Sequence, residues 1–444
     1  MTTFIQNNPD IRALRLAACD LNGVPRGKRV PVSAADKSLQ DGTRFPLSVL
    51  NLDIWGNDIH DSPLVLASGD QDGTLRATER GFVPVPWLPT PTALLPIWMF
   101  NDDGTPFAGD PRHALAACER RFTDIGLQPV VALELEFHLV DDSGDDLQAP
   151  VSPRSGNRCQ GGEILSLQAL DRFDAFFTEL YEACEAMDIP ADTAISESGL
   201  GQYELNLRHQ PSALKAADDA WLFKMLVKGL ARKHAFAATF MAKPYPDQSG
   251  SGMHMHFSVL DSKGRNIFDD GGPNGTREMR HAIAGCLNAL PACTLVFAPH
   301  ANSYDRFVPG AHAPTSICWA YENRTAAIRV PSGAPQARRI EHRFAGGDAN
   351  PYLLIAAVLG AAFTGLQDGV IPGPAITGNA YDQDLPQTPE TWATAIDRFA
   401  TDPLALRIFG QTLIDNLVMT KRQEIRLMAD LSRAEQMRVY LDSV

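Results

Sequence analysis

Residues 130–140 read VVALELEFHLV, an apolar segment with two carboxylates inside it. Side chains alternate between the two faces of a strand, so Leu133 and Leu135 share one face while Glu134 and Glu136 project from the other. Unpaired charges on so apolar a strand are costly. The pattern is typical of a strand with one solvated face, or of two glutamates that hold a cation between them.

A second segment carries histidines where the first carries glutamates. Residues 253–260 read MHMHFSVL, so His254, His256 and Ser258 line one face of a predicted strand. A single histidine is most often an ordinary core or surface residue. Two histidines on one face, after the flexible glycine–serine run at 249–252, indicate ligand binding and an ordinary structural role equally.

The remaining charged segments are rich in arginine and glutamate. Alternation in RRIEHRF (338–344) predicts one shared face, which is either an exposed ladder of ion pairs or part of a clamp for phosphate and carboxylate oxygens. SESGLGQYELNL (196–207) is either a charged loop or a source of further ligands. The residues concerned are Arg306, Arg324, Arg329, Arg339, Glu341, Arg343, Glu197 and Glu204.

Together these segments supply mostly oxygen ligands, a set that suits Mg²⁺ or Mn²⁺ better than zinc. Two such ions beside an arginine cluster are what phosphoryl transfer requires. The sequence has no GxxxxGK[ST] loop and no GxGxxG, so a nucleotide needs another kind of pocket.

Length and composition set the wider limits. A chain of 444 residues predicts two domains, and a net charge of −14 disfavours nucleic acid as a partner. Seven cysteines without a CxxC pair favour a reducing compartment. No signal peptide pattern opens the chain, and the longest apolar segment, 351–366, is shorter than the ~20 residues that cross a bilayer. We therefore expect a cytoplasmic protein with no membrane partner.

The pattern of turns and helices predicts an α+β fold. Residues 11–105 are β-rich with many turns, and Asp110 followed by Pro111 predicts the start of a helix that ends near Gly126. We place the domain boundary at 105/106. Helical periodicity covers 170–187 and residues 218–236, and Asn350 followed by Pro351 predicts the start of a buried helix.

In their order along the chain, these motifs resemble those of bacterial-type glutamine synthetases. The resemblance covers nearly the whole chain and is greater to the γ-glutamylputrescine or γ-glutamylpolyamine synthetase branch. The segments that carry it are DLNGVPRGKRVPV, LDIWGND, VALELEF, ESGLGQYELNL, FMAKPY, GSGMHMHFS, NSYDRFVPG, NRTAAIRVP and RRIEHRFAGGDANPYL.

The resemblance implies a fold and an assembly. Residues 1–105 match an N-terminal β-grasp domain, and residues 106–444 match a catalytic domain with a curved antiparallel sheet and flanking helices. Family members form stacked rings, which implies a homo-oligomer, a dodecamer of two hexameric rings. A neighbour's N-terminal domain completes each active site, and Asp53 is the residue that matches this contribution.

The resemblance also implies a role for each site residue. Two or more Mg²⁺ or Mn²⁺ ions, ATP, glutamate and a small amine are the implied cofactors and partners. The first metal would be held by Glu136, Glu197 and Glu204, and the second by Glu134, His254 and Glu341. Glutamate would be held by Gly250, Arg306 and Arg343, the phosphates by Arg324, Arg329 and Arg339, and the nucleotide by His256 and Ser258.

One departure from the family pattern bears on the substrate. Ammonia-using members carry an acidic residue after NSYxRxxPG, where this chain reads PGAHAPTS with His312. His312 is either a general base that deprotonates an organic amine or a residue that only shapes the pocket. The implied reaction is ATP-dependent formation of a γ-glutamyl amide through γ-glutamyl phosphate. The alternatives are an ammonia-using glutamine synthetase and a non-catalytic assembly of the same fold.

Overall fold

The N-terminal hundred residues form one sheet. The computed structural model describes residues 3–144, 146–311 and 313–444. In the described part of the chain this sheet has the order β2-β1-β6-β4-β3, with β5 against β6, and only β1 and β6 pair in parallel. Its elements are α1 (Thr3–Asn7), β1 (Ala13–Cys19), β2 (Pro25–Pro31), α2 (Ala35–Gln40), β3 (Thr43–Pro46), β4 (Asp72–Ala77), β5 (Val83–Pro84) and β6 (Thr92–Phe100).

A larger sheet contains all the charged strands that the sequence indicated. Its strands are β7 (Gln128–Val140), β8 (Ala191–Ser196), β9 (Gln202–Leu207), β10 (Ala237–Thr239), β11 (Met253–Leu260), β12 (Trp319–Tyr321), β13 (Ile328–Val330) and β14 (Ile340–His342). Over the described ranges their order is β12-β13-β14-β11-β7-β9-β8, with β10 against the end of β7. All pairs are antiparallel, as expected, except that β12 and β13 run parallel.

Helices cover the apolar face of the larger sheet or pack on the helices that do, and the α+β class is confirmed. They are α3 (Pro111–Thr123), α4 (Leu167–Asp171), α5 (Asp174–Ala186), α6 (Ala213–Lys233), α7 (Arg277–Phe297), α8 (Pro351–Asp368), α9 (Trp392–Thr401), α10 (Pro403–Phe409), α11 (Gln411–Met428) and α12 (Arg433–Ser443). The Asp110 side chain accepts from Arg112 N, and that of Asn350 accepts from Tyr352 N, so both predicted helix starts are confirmed.

The most apolar helix, α8, is a core helix. By length and composition α8 passes the test for a membrane span, but 83% of its most apolar window is buried inside the protein. It packs mainly against α7, and Gly285 of α7 allows the two backbones to approach closely. A Cβ at Gly285 would lie 2.0 Å from the carbonyl oxygen of Ala361.

Two helix predictions need correction. The single helix expected over 170–187 is wrong, because α4 ends at Asp171 and α5 begins at Asp174. Phe173 leaves the helical conformation and packs its buried ring against Tyr203 and Phe236, so tertiary packing outweighs the local periodicity. The helix predicted from residue 218 begins at Ala213, because the Ser212 side chain accepts a hydrogen bond from Lys215 N.

Candidate active site

Cross-strand register places the charged residues of five neighbouring strands in rows. Glu134 of β7 lies opposite His254 of β11 and Asn206 of β9. Glu136 lies opposite Glu204, which in turn faces Ile195 of β8. A third row runs from Arg329 through Glu341 to His256. The predicted face of β7 therefore continues across the sheet as one polar surface, with the apolar residues of the same strands packed on the other side.

Glu134 lies at the centre of this surface and contacts both histidines. Its Oε1 is 2.8 Å from His256 Nε2, and its Oε2 is 3.2 Å from His254 Nδ1. Burial by itself would raise the pKa of Glu134, but the hydrogen bonds to the histidines outweigh burial and hold that pKa well below its usual range. Burial and the nearby Arg343 lower the pKa of His254 to about 4, so its imidazole is neutral at pH 7 and able to bind a metal.

The neighbouring glutamates are buried together and raise one another's pKa. Burial, followed by the charges of Glu134 and Glu136, raises the pKa of Glu204 to about 9. Burial and the charge of Glu197 raise the pKa of Glu136 to about 7, and burial raises the pKa of Glu197 as well. Such mutual repulsion is what a divalent cation would relieve, so the carboxylates and imidazoles fit a hard metal ion.

Among the described residues, the closest potential ligand groups differ in part from the predicted sets. Ligand atoms within 4.8 Å of one another group Glu134 with Glu204 and His254, and also with His256 and Glu341. His256, which the resemblance assigns to the nucleotide, thus lies against the second metal set. Both groupings share Glu134, because it lies in the row of His254 and its side chain also reaches His256 in the neighbouring row.

The arginine-rich segment is buried, so the interpretation as an exposed ladder of ion pairs is wrong. Glu341 is fully buried, and its Oε2 accepts from Arg329 Nη1 at 2.7 Å. Its other oxygen accepts from Arg343, which is also buried. Arg339 donates from Nε to His256 Nδ1 at 3.2 Å. Hydrogen bonds therefore connect Glu341 and His256 to these three arginines.

A glycine loop and Arg306 form the next part of the site. A Cβ at Gly250 would lie 2.1 Å from the carbonyl oxygen of Ala242, so only glycine fits there. The next glycine, Gly252, donates its backbone N–H to Glu136 Oε2 at 2.8 Å. Arg306 is buried and donates to the carbonyl oxygen of Phe344 at 2.9 Å. Within the described residues Arg306 forms no ion pair with a carboxylate, as expected for a residue that binds an anionic substrate.

Gln202 is a polar residue of this site that the sequence analysis did not identify. Its Nε2 lies 3.0 Å from both Glu136 Oε2 and the carbonyl oxygen of Gly250, and its Oε1 accepts from Gly199 N. It therefore connects the β7 carboxylate to the glycine loop. The signal was present, since Gln202 shares a strand face with Glu204 two positions later.

These groups open onto a cavity of about 280 Å³. The predicted residues that line it are Glu136, Glu197, Glu204, Gly250, His254, Arg306, Arg324 and Arg343. Of the other predicted metal, phosphate and nucleotide residues, those on the strands beside this lining are Glu134, His256, Ser258, Arg329 and Glu341, and Arg339 directly precedes β14. The fold thus brings most of the predicted site residues to one place.

Asp53 lies apart from this arrangement, and one further candidate is not described by the structure. The carboxylate of Asp53 is fully buried and accepts from Trp55 N, Asn57 N and Gln423 Nε2 within its own chain. His312 lies outside the described residues, so its expected role rests on the sequence alone.

The chain is similar to known proteins in its family model, in its sequence and in its fold. Residues 108–440 match the family model described as glutamine synthetase, catalytic domain. The chain is 36% identical to gamma-glutamylputrescine synthetase PuuA of Escherichia coli (strain K12), over 92% of this chain and 87% of that protein. It is 31% identical to glutamine synthetase of Pyrococcus abyssi (strain GE5 / Orsay), over 93% and 89% of the two chains. The solved structure titled "Apo GmaS without ligand" superimposes with a TM-score of 0.83 at 26% identity, covering 99% of this chain and 98% of that one.

Proposed function

Because the chain belongs to the glutamine synthetase family, we propose that it is an ATP-dependent ligase that joins the γ-carboxylate of glutamate to an organic primary amine. The chain is a glutamine synthetase-like ligase, and the choice of an organic amine is the proposal. The observation that supports ligase chemistry is the buried surface on which glutamates, histidines and arginines meet beside a cavity. The similarity to a γ-glutamylputrescine synthetase favours an organic amine.

The proposed metal sites use the carboxylates and one imidazole of this surface. Glu136, Glu197 and Glu204 would hold one Mg²⁺ or Mn²⁺, and Glu134, His254 and Glu341 a second. A bound cation neutralises charge on the phosphoryl group during transfer. His256 is a further candidate ligand, since its Nε2 contacts the same carboxylate as His254.

The arginines would position the two anionic substrates. Arg306 and Arg343 would bind the carboxylates of glutamate near the Gly250 backbone, while Arg324, Arg329 and Arg339 would bind the phosphates of ATP. The γ-carboxylate oxygen then attacks the γ-phosphorus, ADP leaves, and an acyl phosphate is formed. An amine nitrogen next attacks the acyl carbon, and phosphate leaves with the carboxylate's bridging oxygen, so the product is a γ-glutamyl amide.

Several finer points belong to the same proposal. His256 and Ser258 would contact the nucleotide, and His312 would accept a proton from the amine. The domains would span residues 1–105 and 106–444. The protein would be cytoplasmic and would assemble as a dodecamer of two rings. For Asp53 to serve a neighbouring site, its carboxylate would have to leave the hydrogen bonds it makes within its own chain.

A second candidate is an ammonia-using glutamine synthetase, favoured by the similarity to the Pyrococcus abyssi enzyme. Phosphate release with ATP, Mg²⁺ and glutamate distinguishes the two, when ammonium is compared with putrescine, spermidine, ethanolamine, methylamine and isopropylamine. We expect turnover with an organic amine to exceed that with ammonium at least tenfold. Turnover mainly with ammonium would establish the second candidate, and no turnover with any amine would favour the non-catalytic assembly.

A further inference from the structure

The catalytic cavity has one apolar wall that the reaction chemistry does not explain. Ile164 and Leu165 line the cavity although 59% and 68% of their surfaces are exposed. Ile195 of β8 completes the wall, and its register position opposite Glu204 places it on the face that carries the carboxylates. An apolar surface left in water beside an otherwise charged site indicates a ligand with apolar parts.

The wall is held in a fixed position by Ser196. Leu165 donates its backbone N–H to the Ser196 carbonyl oxygen at 2.8 Å, and Ser166 N donates to Ser196 Oγ at 2.8 Å. Ser196 Oγ in turn donates to the carbonyl oxygen of Glu163 at 2.6 Å. Since Ser196 directly precedes Glu197, the wall and a proposed metal ligand are tied to the same end of β8.

Leu165 has a backbone conformation that leucine rarely adopts. Its φ is +58°, in the left-handed region that favours glycine. Glycine would adopt this conformation without strain, but it has no side chain to line the cavity. A function of the leucine side chain in the cavity wall would explain why leucine is present instead.

The carboxylate of Glu163, which directly precedes Ile164, does not provide a free charge. Glu163 is paired with Arg172 at 2.6 Å. The carboxylates among the described lining residues are Glu136, Glu197 and Glu204, which the proposed function assigns to a metal. Among the described residues of the chain, the wall therefore offers contact to hydrocarbon without a free carboxylate beside it.

We propose that Ile164, Leu165 and Ile195 bind the hydrocarbon chain of the amine substrate and thereby select alkyl primary amines over ammonium. The inference rests on the proposed function and adds the residues that set its specificity. The reacting nitrogen lies at the charged end of the cavity, and the carbon chain runs outward along the wall.

The test measures kcat/KM for methylamine, ethylamine, propylamine and butylamine at saturating ATP, Mg²⁺ and glutamate. We expect an increase of roughly threefold per added methylene, as for a carbon that becomes largely buried. No dependence on chain length contradicts the wall.

Two variants locate the effect. Leu165→Gly removes the side chain and suits the left-handed backbone, so it should fold; we expect it to lower kcat/KM for butylamine about tenfold and that for methylamine less than twofold. Leu167→Ala is the matched control, because Leu167 is 76% exposed and only two positions away but does not line the cavity. Equal losses for both amines in Leu165→Gly, or the same loss in the control, overturn the assignment.

A nucleophile without a carbon chain separates this inference from the proposed function. Hydroxylamine should give γ-glutamyl hydroxamate at equal rates in the wild-type protein and in Leu165→Gly. If hydroxylamine and all amines fail in the wild type, the proposed function fails. If hydroxylamine and amines react but chain length has no effect, only the wall is wrong.

Discussion

The two sheets of this protein treat charged side chains in opposite ways. Strand β2 of the N-terminal sheet exposes Lys28 and Arg29 to water, where their charges cost little. The larger sheet buries Glu341 and Arg343 on β14 and the segment that follows it. Buried charges are retained only when partners or ligands offset the loss of hydration. The larger sheet therefore has the properties of a ligand-binding surface, whereas the smaller one has an ordinary hydrated surface.

The largest expected contrast concerns activity. Glu134→Gln removes the carboxylate shared by both potential metal groupings, so we expect ATP- and glutamate-dependent phosphate release to fall by at least about 100-fold. Asp102→Asn makes the same chemical change in the N-terminal region, at a residue paired with Arg44, and should leave the rate within about twofold. Comparable losses in the two variants would remove the contrast between the sheets.

The next contrast concerns stability without metal. Glu341→Gln leaves Arg329 and Arg343 buried without their shared counter-charge, so we expect the free energy of unfolding to fall by about 3–5 kcal/mol. Urea denaturation with a chelator present measures it. A loss below 1 kcal/mol would mean that this buried cluster contributes no more than a surface ion pair.

One buried carboxylate in the N-terminal region should make the stability of the protein depend on pH. Burial raises the pKa of Asp20 from 3.8 to about 6, and Arg26 offsets only part of that effect. Since the folded state binds this proton more tightly, the stabilising contribution is complete below pH 3.8 and is lost as pH rises through 6. The difference amounts to about 3 kcal/mol. Asp20→Asn should therefore remove this decline between pH 4 and 6 in urea denaturation, and an unchanged pH slope would contradict the assignment.

The smallest expected effect is at a surface ion pair. Arg44 Nη1 lies 2.6 Å from Asp102, and both side chains are about half exposed. We expect Arg44→Ala to reduce the free energy of unfolding by less than about 1 kcal/mol, and by less still in high salt, because water and ions screen the pair. A salt-independent loss above 2 kcal/mol would show that the N-terminal sheet also depends on its charges.

Much of the site was predictable because strands have a period of two. Alternation in 130–140 and 253–260 was enough to place Glu134 with Glu136, and His254 with His256. The register between strands is not visible in the sequence, so the contact of His256 with Glu134 was not predicted. Burial of the arginine segment depends on long-range packing, as does the helix break at Phe173. Gln202 was missed although it shares a strand face with Glu204, because its contacts with Glu136 and the glycine loop depend on the register between strands.

The proposed mechanism requires that the buried charged surface activates a carboxylate by phosphorylation. Glutamate labelled with ¹⁸O in its γ-carboxylate, incubated with the protein, ATP, Mg²⁺ and an alkylamine, tests it directly. The account predicts that one ¹⁸O atom is transferred from each labelled carboxylate into the released phosphate, together with one γ-glutamyl amide. Amide formation accompanied by unlabelled phosphate would contradict an acyl phosphate and the mechanism built on it.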